Sequence, residues 1–232
     1  MDSSGNGNGT SAGFDAARQA MVEQQIAKRG VRSPGVLKAM AEVPRHLFVP
    51  TAGMRAAYTD EPLPIGEGQT ISQPFMVAAM AEALMLGPDD MVLEVGAGSG
   101  YQAAVLSRLA TKVIAIETQP TLATSARERL AALGYTNVRV EFGDGSLGWP
   151  AGAPYNAILV TAAAPRVPPP LIEQLAEGGR LVIPVGSPEQ QELLRIVKRE
   201  GKTTENSLYA CRFVPLRGRY GWGNDAQEQA GQ

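Results

Sequence analysis

The sequence predicts an α/β protein: a doubly wound, mostly parallel sheet with an antiparallel edge and helices ahead of it. Three observations carry this. From residue 91 to 186, short and continuously apolar runs such as MVLEV (91–95) alternate with helix-like segments, the pattern of parallel strands covered on both faces. A glycine loop, VGAGSG (95–100), joins the first of these runs to the helix-like segment after it. Near the C-terminus, ELLRIVKR (192–199) and YACRFVPL (209–216) follow one another with no helix between them, which favours an antiparallel pair at one edge.

The elements follow in order. Residues 1–13, MDSSGNGNGTSAG, are rich in Gly, Ser and Asn with almost nothing to bury, and read as a disordered tail. Residues 14–29 suit an amphipathic helix stopped by Gly30. Ser33 and Pro34 start a second helix, through residue 40, as cap and first-turn proline. VPRHLFVPTAG and YTDEPLPIGEG are proline-punctuated and read as irregular. A polar turn at Gln69–Ser72, pinned by Pro74, leads into a helix over 74–86 that Gly87 and Pro88 end. Strands are expected at 91–95, 112–117, 138–144, 157–163, 180–186, 192–199 and 209–216. Helices are expected near 101–109, 121–133 and 170–176. The last ten residues, GNDAQEQAGQ, read as a second flexible tail. The expected organisation is one domain over 14–222, with a helical and loop region to 88 and the sheet from 89, between tails 1–13 and 223–232.

Composition narrows the function. Among 232 residues there are 23 acids and 21 bases, a net charge of −2, so no electrostatic footprint for nucleic acid is present. No apolar run reaches the ~18 residues of a membrane span, and no basic region followed by an apolar core opens the chain. One cysteine, Cys211, excludes an internal disulfide, and one histidine, His46, rules out a histidine cluster. The natural reading is a cytoplasmic, metal-free protein without a membrane partner.

The glycine loop carries the first specific chemistry. Gly96, Gly98 and Gly100 stand between a strand and a helix, where backbone N–H groups and the helix start approach a nucleotide closely. The dinucleotide pattern G-x-G-x-x-G would need glycine at 101, where this chain has Tyr101. The spacing G-x-G-x-G is more typical of S-adenosylmethionine folds. Glu117 ends the next strand, 17 residues beyond Gly100, where a carboxylate can accept from both ribose hydroxyls. Asp144 in GDGS ends the third strand, where an adenine edge would lie. Singly, each is an ordinary turn or solvated cap; together they favour a nucleoside-bearing cofactor.

Six blocks in order extend the pattern: VPRHLFVP (43–50), AYTDEPLPIGEGQTISQPFMVAAM (57–80), VLEVGAGSGYQAAVLSRL with VIAIE, the central stretch 143–186, and FVPLRGRYGW (213–222). From about residue 21 to 222 the chain closely resembles the protein-L-isoaspartate O-methyltransferases, which methylate isoaspartyl residues in damaged proteins. The resemblance implies a Rossmann-like sheet of the class I methyltransferase type. It implies that Gly96, Ala97, Gly98, Gly100, Glu117, Asp144 and Gly145 hold S-adenosylmethionine, leaving S-adenosylhomocysteine as product. The turn of Ile71, Ser72, Gln73 and Pro74 would close over it. The partners implied are isoaspartyl peptides and proteins, with a monomer favoured. Phe75 stands where such proteins often carry His or Tyr, and Asn156 replaces the more usual Asp, which weakens any catalytic role there.

The chemistry agrees with what the sequence lacks. The α-carboxylate of an isoaspartyl residue, with a reference pKa below ~4, is already ionised at neutral pH. Transfer of a methyl group to it needs no general base, metal or covalent intermediate. The site must hold the carboxylate oxygen about 3 Å from the methyl carbon, in line with the leaving sulfur, and exclude water. A neutral hydroxyl suits this better than an Arg clamp, so Ser72 is the catalytic candidate, with Thr70 in reserve. The competing reading of Ser72 is a helix cap, and both can hold. Tyr58 and Val214 are weaker candidates for substrate contact, with the backbone of RFVPL (212–216) recognising peptide main chain. His46 reads as structural, Cys211 as buried packing, Asp60 as a loop hydrogen-bond acceptor, and Trp149 and Trp222 as packing. A methyltransferase of other substrates and a non-catalytic cofactor-binding module remain as alternatives.

Overall fold

In the computed structural model, which describes residues 11–222, helices come first. Helix α1 (Ser11–Ala20) runs into a π-helical turn, Met21–Ile26, and a 3-10 turn, Ala27–Arg29, that ends at Gly30. The N-terminal boundary expected at residue 13 is therefore corrected, since α1 already includes Ser11–Gly13; residues 1–10 and 223–232 lie outside the described residues. The widened turn has a packing reason. Met21 and Ile26 are both 0% exposed, and a five-residue spacing places both on one side of a π turn. Helix α2 (Pro34–Glu42) begins as expected, with the Ser33 hydroxyl accepting from Val36 N.

The stretch read as irregular contains two 3-10 turns and a hairpin, β1 (Leu63–Gly66) and β2 (Gln69–Ile71). The turn expected at Gln69–Ser72 is thus a strand, and the reversal is Gly66-Glu67-Gly68, all three at positive φ. The alternation that marks a strand is only three residues long in β2, too short to read from sequence. Helix α3 (Pro74–Ala83) stops three residues earlier than expected. Arg180 explains the early end: its guanidinium donates to Leu84 O at 2.6 Å, Met85 O at 2.8 Å and Asp90 Oδ2 at 2.5 Å. A distant cation thereby takes over carbonyls that the helix end leaves without partners.

The central sheet has seven strands in the order β5-β4-β3-β6-β7-β8-β9. They are β3 (Met91–Val95), β4 (Lys112–Glu117), β5 (Val138–Phe142), β6 (Tyr155–Val160), β7 (Leu175–Gly186), β8 (Gln191–Arg199) and β9 (Lys202–Cys211). The first five pair in parallel, and β7-β8-β9 antiparallel. The antiparallel edge is therefore three strands wide. After β5 the chain returns to the far side of β3, so the order reverses between β3 and β6, where open α/β sheets place their ligands.

Cover on the two faces is unequal. Helices α2, α3, α4 (Tyr101–Leu106) and α5 (Pro120–Ala132) bury the face of Val92, Ala115 and Leu159. The opposite face, with Leu93, Val95, Ile116 and Val160, lies under the short α6 (Pro169–Glu173), Trp149 and Leu216.

The last strand is the largest difference from expectation: β9 covers Lys202–Cys211, not 209–216. Its polar, exposed residues hid it, because an edge strand open to solvent need not be apolar. Residues 212–216 leave the sheet. The Gln191 side chain accepts from Phe213 N at 2.7 Å and donates to Phe213 O at 3.3 Å. Beyond it, Ala163 donates to Val214 O and accepts from Leu216 N, both at 2.8 Å.

Candidate active site

The site forms where β3 and β6 end side by side. Thr161 N donates to Val95 O at 2.9 Å, and the Thr161 hydroxyl to Gly96 O at 2.7 Å. Gly96 adopts φ 96°, and a Cβ there would stand 2.5 Å from Thr161 Oγ1. A Cβ on Gly145 would stand 2.5 Å from Val95 Cγ1. The crevice wall is therefore backbone at both places, because no side chain fits.

Glu117 lies at the end of β4 and is 5% exposed. Its carboxylate accepts from Gly98 N at 2.8 Å and Gln119 N at 2.9 Å. Two of roughly four acceptor positions are used, and Glu117 lines the crevice, so capacity remains for a ligand's hydroxyls. Glu94, which the sequence reading passed over as one more residue of an apolar strand, is 0% exposed. Neither of its oxygens has a hydrogen-bond partner. It lies opposite Ala115 and Leu159, hence on the same face as Glu117. Burial first, and then the Glu117 charge, push its carboxyl well above the ordinary 4.5. An acid inside the run MVLEV was the signal that could have found it, since an unpaired buried carboxyl is costly unless a ligand uses it.

Two cavities meet here. A narrow crevice of about 60 Å³ is lined by Gly96, Gly98, Glu117, Thr118 and Gly145. A wide groove of about 1070 Å³ opens beside it, lined by Ser72, Gln73, Met76, Cys211, Phe213 and Trp222 among others. Thr70, Thr161, Val214, Pro215 and Arg217 line both. Thr161 is a second residue that the sequence reading missed; a threonine at a strand end carries no signal until the neighbouring strand is known.

The candidates divide accordingly. Gly96, Gly98, Glu117 and Gly145 meet at the crevice, while Ser72 and Gln73 face the groove and Thr70 and Val214 the junction. Several others are placed elsewhere. Ile71 (5% exposed) packs in the core, Pro74 is buried at the start of α3, and Ala97 is 4% exposed. Gly100 serves as the left-handed cap of α4. Asp144 is a correction to the expected adenine acid: it lines neither cavity. Its Oδ1 accepts from Ser146 N and Oγ, and its Oδ2 from Arg219 N at 2.8 Å, so it ties the loop after β5 to the C-terminal segment. Tyr58 is likewise corrected. It is 7% exposed, and its hydroxyl lies 2.7 Å from His46 Nδ1, whose ring stacks on Phe14 at 4.1 Å. That packing also makes His46 structural, and burial lowers its pKa. Cys211 is half-buried along the groove rather than enclosed, and burial pushes its thiol up to about 11. Trp222 lines the groove as well, anchored by Nε1 to Ala163 O at 3.1 Å. Asn156 sits at the opposite end of β6, where its side chain accepts from Met91 N.

The capping alternative for Ser72 does not hold. The N-cap of α3 is Gln73, with no side-chain cap bond. Asp60 supplies that function from a distance, its Oδ1 accepting from Phe75 N at 3.0 Å while its Oδ2 pairs with Arg29. Arg29 in turn lies 3.6 Å over the Phe75 ring. The Asp60→Ala variant is expected to lose about 1–2 kcal/mol of stability, the usual worth of an N-terminal acceptor, read by urea unfolding. An unchanged midpoint would show that α3 needs no cap. The Ser72 hydroxyl has no hydrogen-bond partner among the described residues and is left to the groove.

Comparisons with known proteins agree with this geometry. Residues 16–221 match the family described as Protein-L-isoaspartate(D-aspartate) O-methyltransferase. A protein-L-isoaspartate O-methyltransferase of Methanoregula boonei is 56% identical over 207 residues, 89% of this chain and 95% of the relative. One from Roseiflexus is 57% identical over 210 residues, 90% and 95% of the two chains. Among solved structures, a protein-L-isoaspartate O-methyltransferase superposes with a TM-score of 0.79 at 31% identity, covering 88% of this chain and 67% of that one. A Plasmodium falciparum protein assigned to the same activity, in complex with S-adenosyl-L-homocysteine, gives 0.76 at 26% identity over 86% and 98%.

Proposed function

Since the chain belongs to the protein-L-isoaspartate(D-aspartate) O-methyltransferase family, we propose how its residues divide the work of an S-adenosylmethionine-dependent methyl transfer to isoaspartyl carboxylates. The observation that carries the division is the junction itself. A narrow crevice at the sheet's switch point, with Glu117 in its wall, opens onto a wide groove across Thr70, Thr161 and Val214.

The crevice fits the cofactor in three respects. Gly96 and Gly145 line it with bare backbone, at positions where no side chain fits. Glu117 keeps free acceptor positions for two ribose hydroxyls. Glu94 lines neither cavity, but its buried, orphaned carboxyl lies on the Glu117 face of the sheet, where it answers the positive charge of an amino-acid ammonium. Gly98 and Ala97 present backbone, and Gly100 starts α4 above them. When bound, S-adenosylmethionine supplies a methyl carbon activated by a sulfonium.

The groove residues do the rest. Ser72, with Thr70 beside it, donates to the substrate carboxylate and orients one oxygen toward the junction. Because that carboxylate is already ionised, no residue here has to take a proton. Met76, Phe213 and Trp222 displace water from the anion, which raises its reactivity. The 212–216 segment offers main chain to the peptide next to the reacting residue. The methyl ester carries methoxide, a far better leaving group than the oxide of a free carboxylate, so the adjacent backbone nitrogen attacks the ester carbonyl, methanol departs and a succinimide closes without further help. Hydrolysis of the succinimide then returns part of the material as normal aspartate. We read residues 11–222 as one catalytic unit, monomeric and cytoplasmic. No helix among the described residues is long and apolar enough to cross a membrane.

Two measurements test this reading. Methyl-labelled S-adenosylmethionine with paired peptides, aspartyl or isoaspartyl at one position, should give base-labile label in the isoaspartyl peptide alone. Equal label in both would defeat the substrate assignment. In the Ser72→Ala variant, kcat/KM for the isoaspartyl peptide should fall about 10–100-fold, the worth of one positioned donor, with cofactor affinity moving much less. Wild-type turnover would remove Ser72 from catalysis.

A further inference from the structure

The crevice is lined by charges of both signs, the groove by positive charge alone. Glu117 and Arg217 line the crevice, whereas among the described residues no aspartate or glutamate lines the groove. Its charged residues are Arg212 and Arg217, both exposed and without a carboxylate partner among the described residues. This occurs in a chain of net charge −2, so the positive sign of the groove is local.

The backbone holds Arg217 in place. Leu216 O accepts from Trp222 N at 2.7 Å, Gly221 N donates to Gly218 O, and residue 217 bridges to Trp222. Arg217 thus projects from a closed loop at the junction of crevice and groove. Arg212 stands where the chain leaves β9, directly after Cys211. Both are carried by the segment that faces the peptide.

We infer that Arg212 and Arg217 are specificity-determining residues that select isoaspartyl sites flanked by acidic residues. The inference rests on the reading of the groove as the peptide site. The isoaspartyl carboxylate is consumed as an anion at the junction, while the peptide on either side of it passes the two guanidinium groups. Acidic flanks meet unpaired cations; basic flanks meet like charge with no carboxylate in the groove to relieve it. Rim charges of this kind act mainly on encounter and on salt dependence, and a second copy of the same sign makes discrimination by repulsion effective.

Three isoaspartyl peptides of one length, with Glu, Gln or Lys in the flanking positions, provide the test. For the full chain at about 20 mM salt, KM should rise from Glu to Gln to Lys, spanning about tenfold between the extremes. The span should narrow to under about twofold at about 0.5 M salt. The Arg212→Gln/Arg217→Gln double variant should flatten the series at low salt, while Arg199→Gln, outside the groove, should retain it. Methylation of all three peptides with equal KM, a preference for Lys, or an undiminished span in the double variant would overturn the inference alone. Failure to methylate any of the three, with cofactor bound, would remove the reading of the site and this inference together.

Discussion

Replacing Gly96 with alanine is expected to abolish measurable cofactor binding and to lower stability by about 2–4 kcal/mol. Two effects combine. At φ 96° an alanine sits in a region that L-residues rarely adopt, at a cost of about 1–3 kcal/mol. Its methyl group would lie 2.5 Å from Thr161 Oγ1, and Thr161 cannot yield freely. That hydroxyl bonds Val95 O and Gly96 O, so moving it breaks the polar contact between β3 and β6 where the cofactor is to lie. Gly30→Ala supplies the comparison. Gly30 has φ 108° but nothing within 4 Å of an added Cβ, so that variant should lose only the backbone term and bind normally. Thermal unfolding with calorimetric titration of S-adenosylhomocysteine measures both quantities. A Gly96→Ala protein that binds as tightly as Gly30→Ala would defeat the assignment of the crevice.

Glu94→Gln is expected to move stability and binding in opposite directions. The folded state holds the Glu94 proton more tightly than the unfolded chain, because burial disfavours the anion and Glu117 adds like charge. A raised carboxyl pKa is a penalty that is absent below the unfolded value of 4.5 and grows as pH rises above it. The neutral glutamine escapes that penalty. Without ligand, the variant should therefore be more stable at neutral pH by about 1–3 kcal/mol, a rise in Tm of about 3–10 °C for a chain of this size. The difference should close as pH falls below 4.5. Cofactor affinity should fall about tenfold or more at neutral pH, since the ligand loses the charge that answers its ammonium. Unfolding of both proteins across the pH range, beside titration at neutral pH, decides the matter. A variant with unchanged Tm and unchanged affinity would show that Glu94 is neither strained nor used. Together the two variants separate the shape of the crevice from its charge.

How much of this was legible in sequence depended on what each feature needs. The glycine loop, Glu117 and the parallel strands were readable because each is a local rule: an apolar run, a turn requiring positive φ, a carboxylate at a strand end. The hairpin at 63–71 was not, because its strands are too short for periodicity to show. The ends of α3 and β9 were missed because partners far along the chain set them: Arg180 for the first, the Gln191 side chain for the second. Ser72 was singled out as the catalytic candidate, and the fold places it along the groove, yet the choice between cap and donor could not be made. That depended on Asp60, 12 positions earlier, occupying the capping role.

The sequence by itself determined the α/β class, the succession of strands from β3 to β8, the glycine loop after β3 and the likeness to isoaspartyl methyltransferases, since these rest on local pattern and residue identity. Only the tertiary structure decided which side chains share a cavity. Asp144 and Tyr58 look like site residues on the line of the sequence, but folding turns one toward Arg219 N and the other toward His46. Glu94 looks like part of an apolar strand and becomes a buried, unpaired acid on the same face as Glu117. Burial and pairing are properties of the neighbours that a residue acquires, and for this site most of those neighbours lie 20 or more positions away.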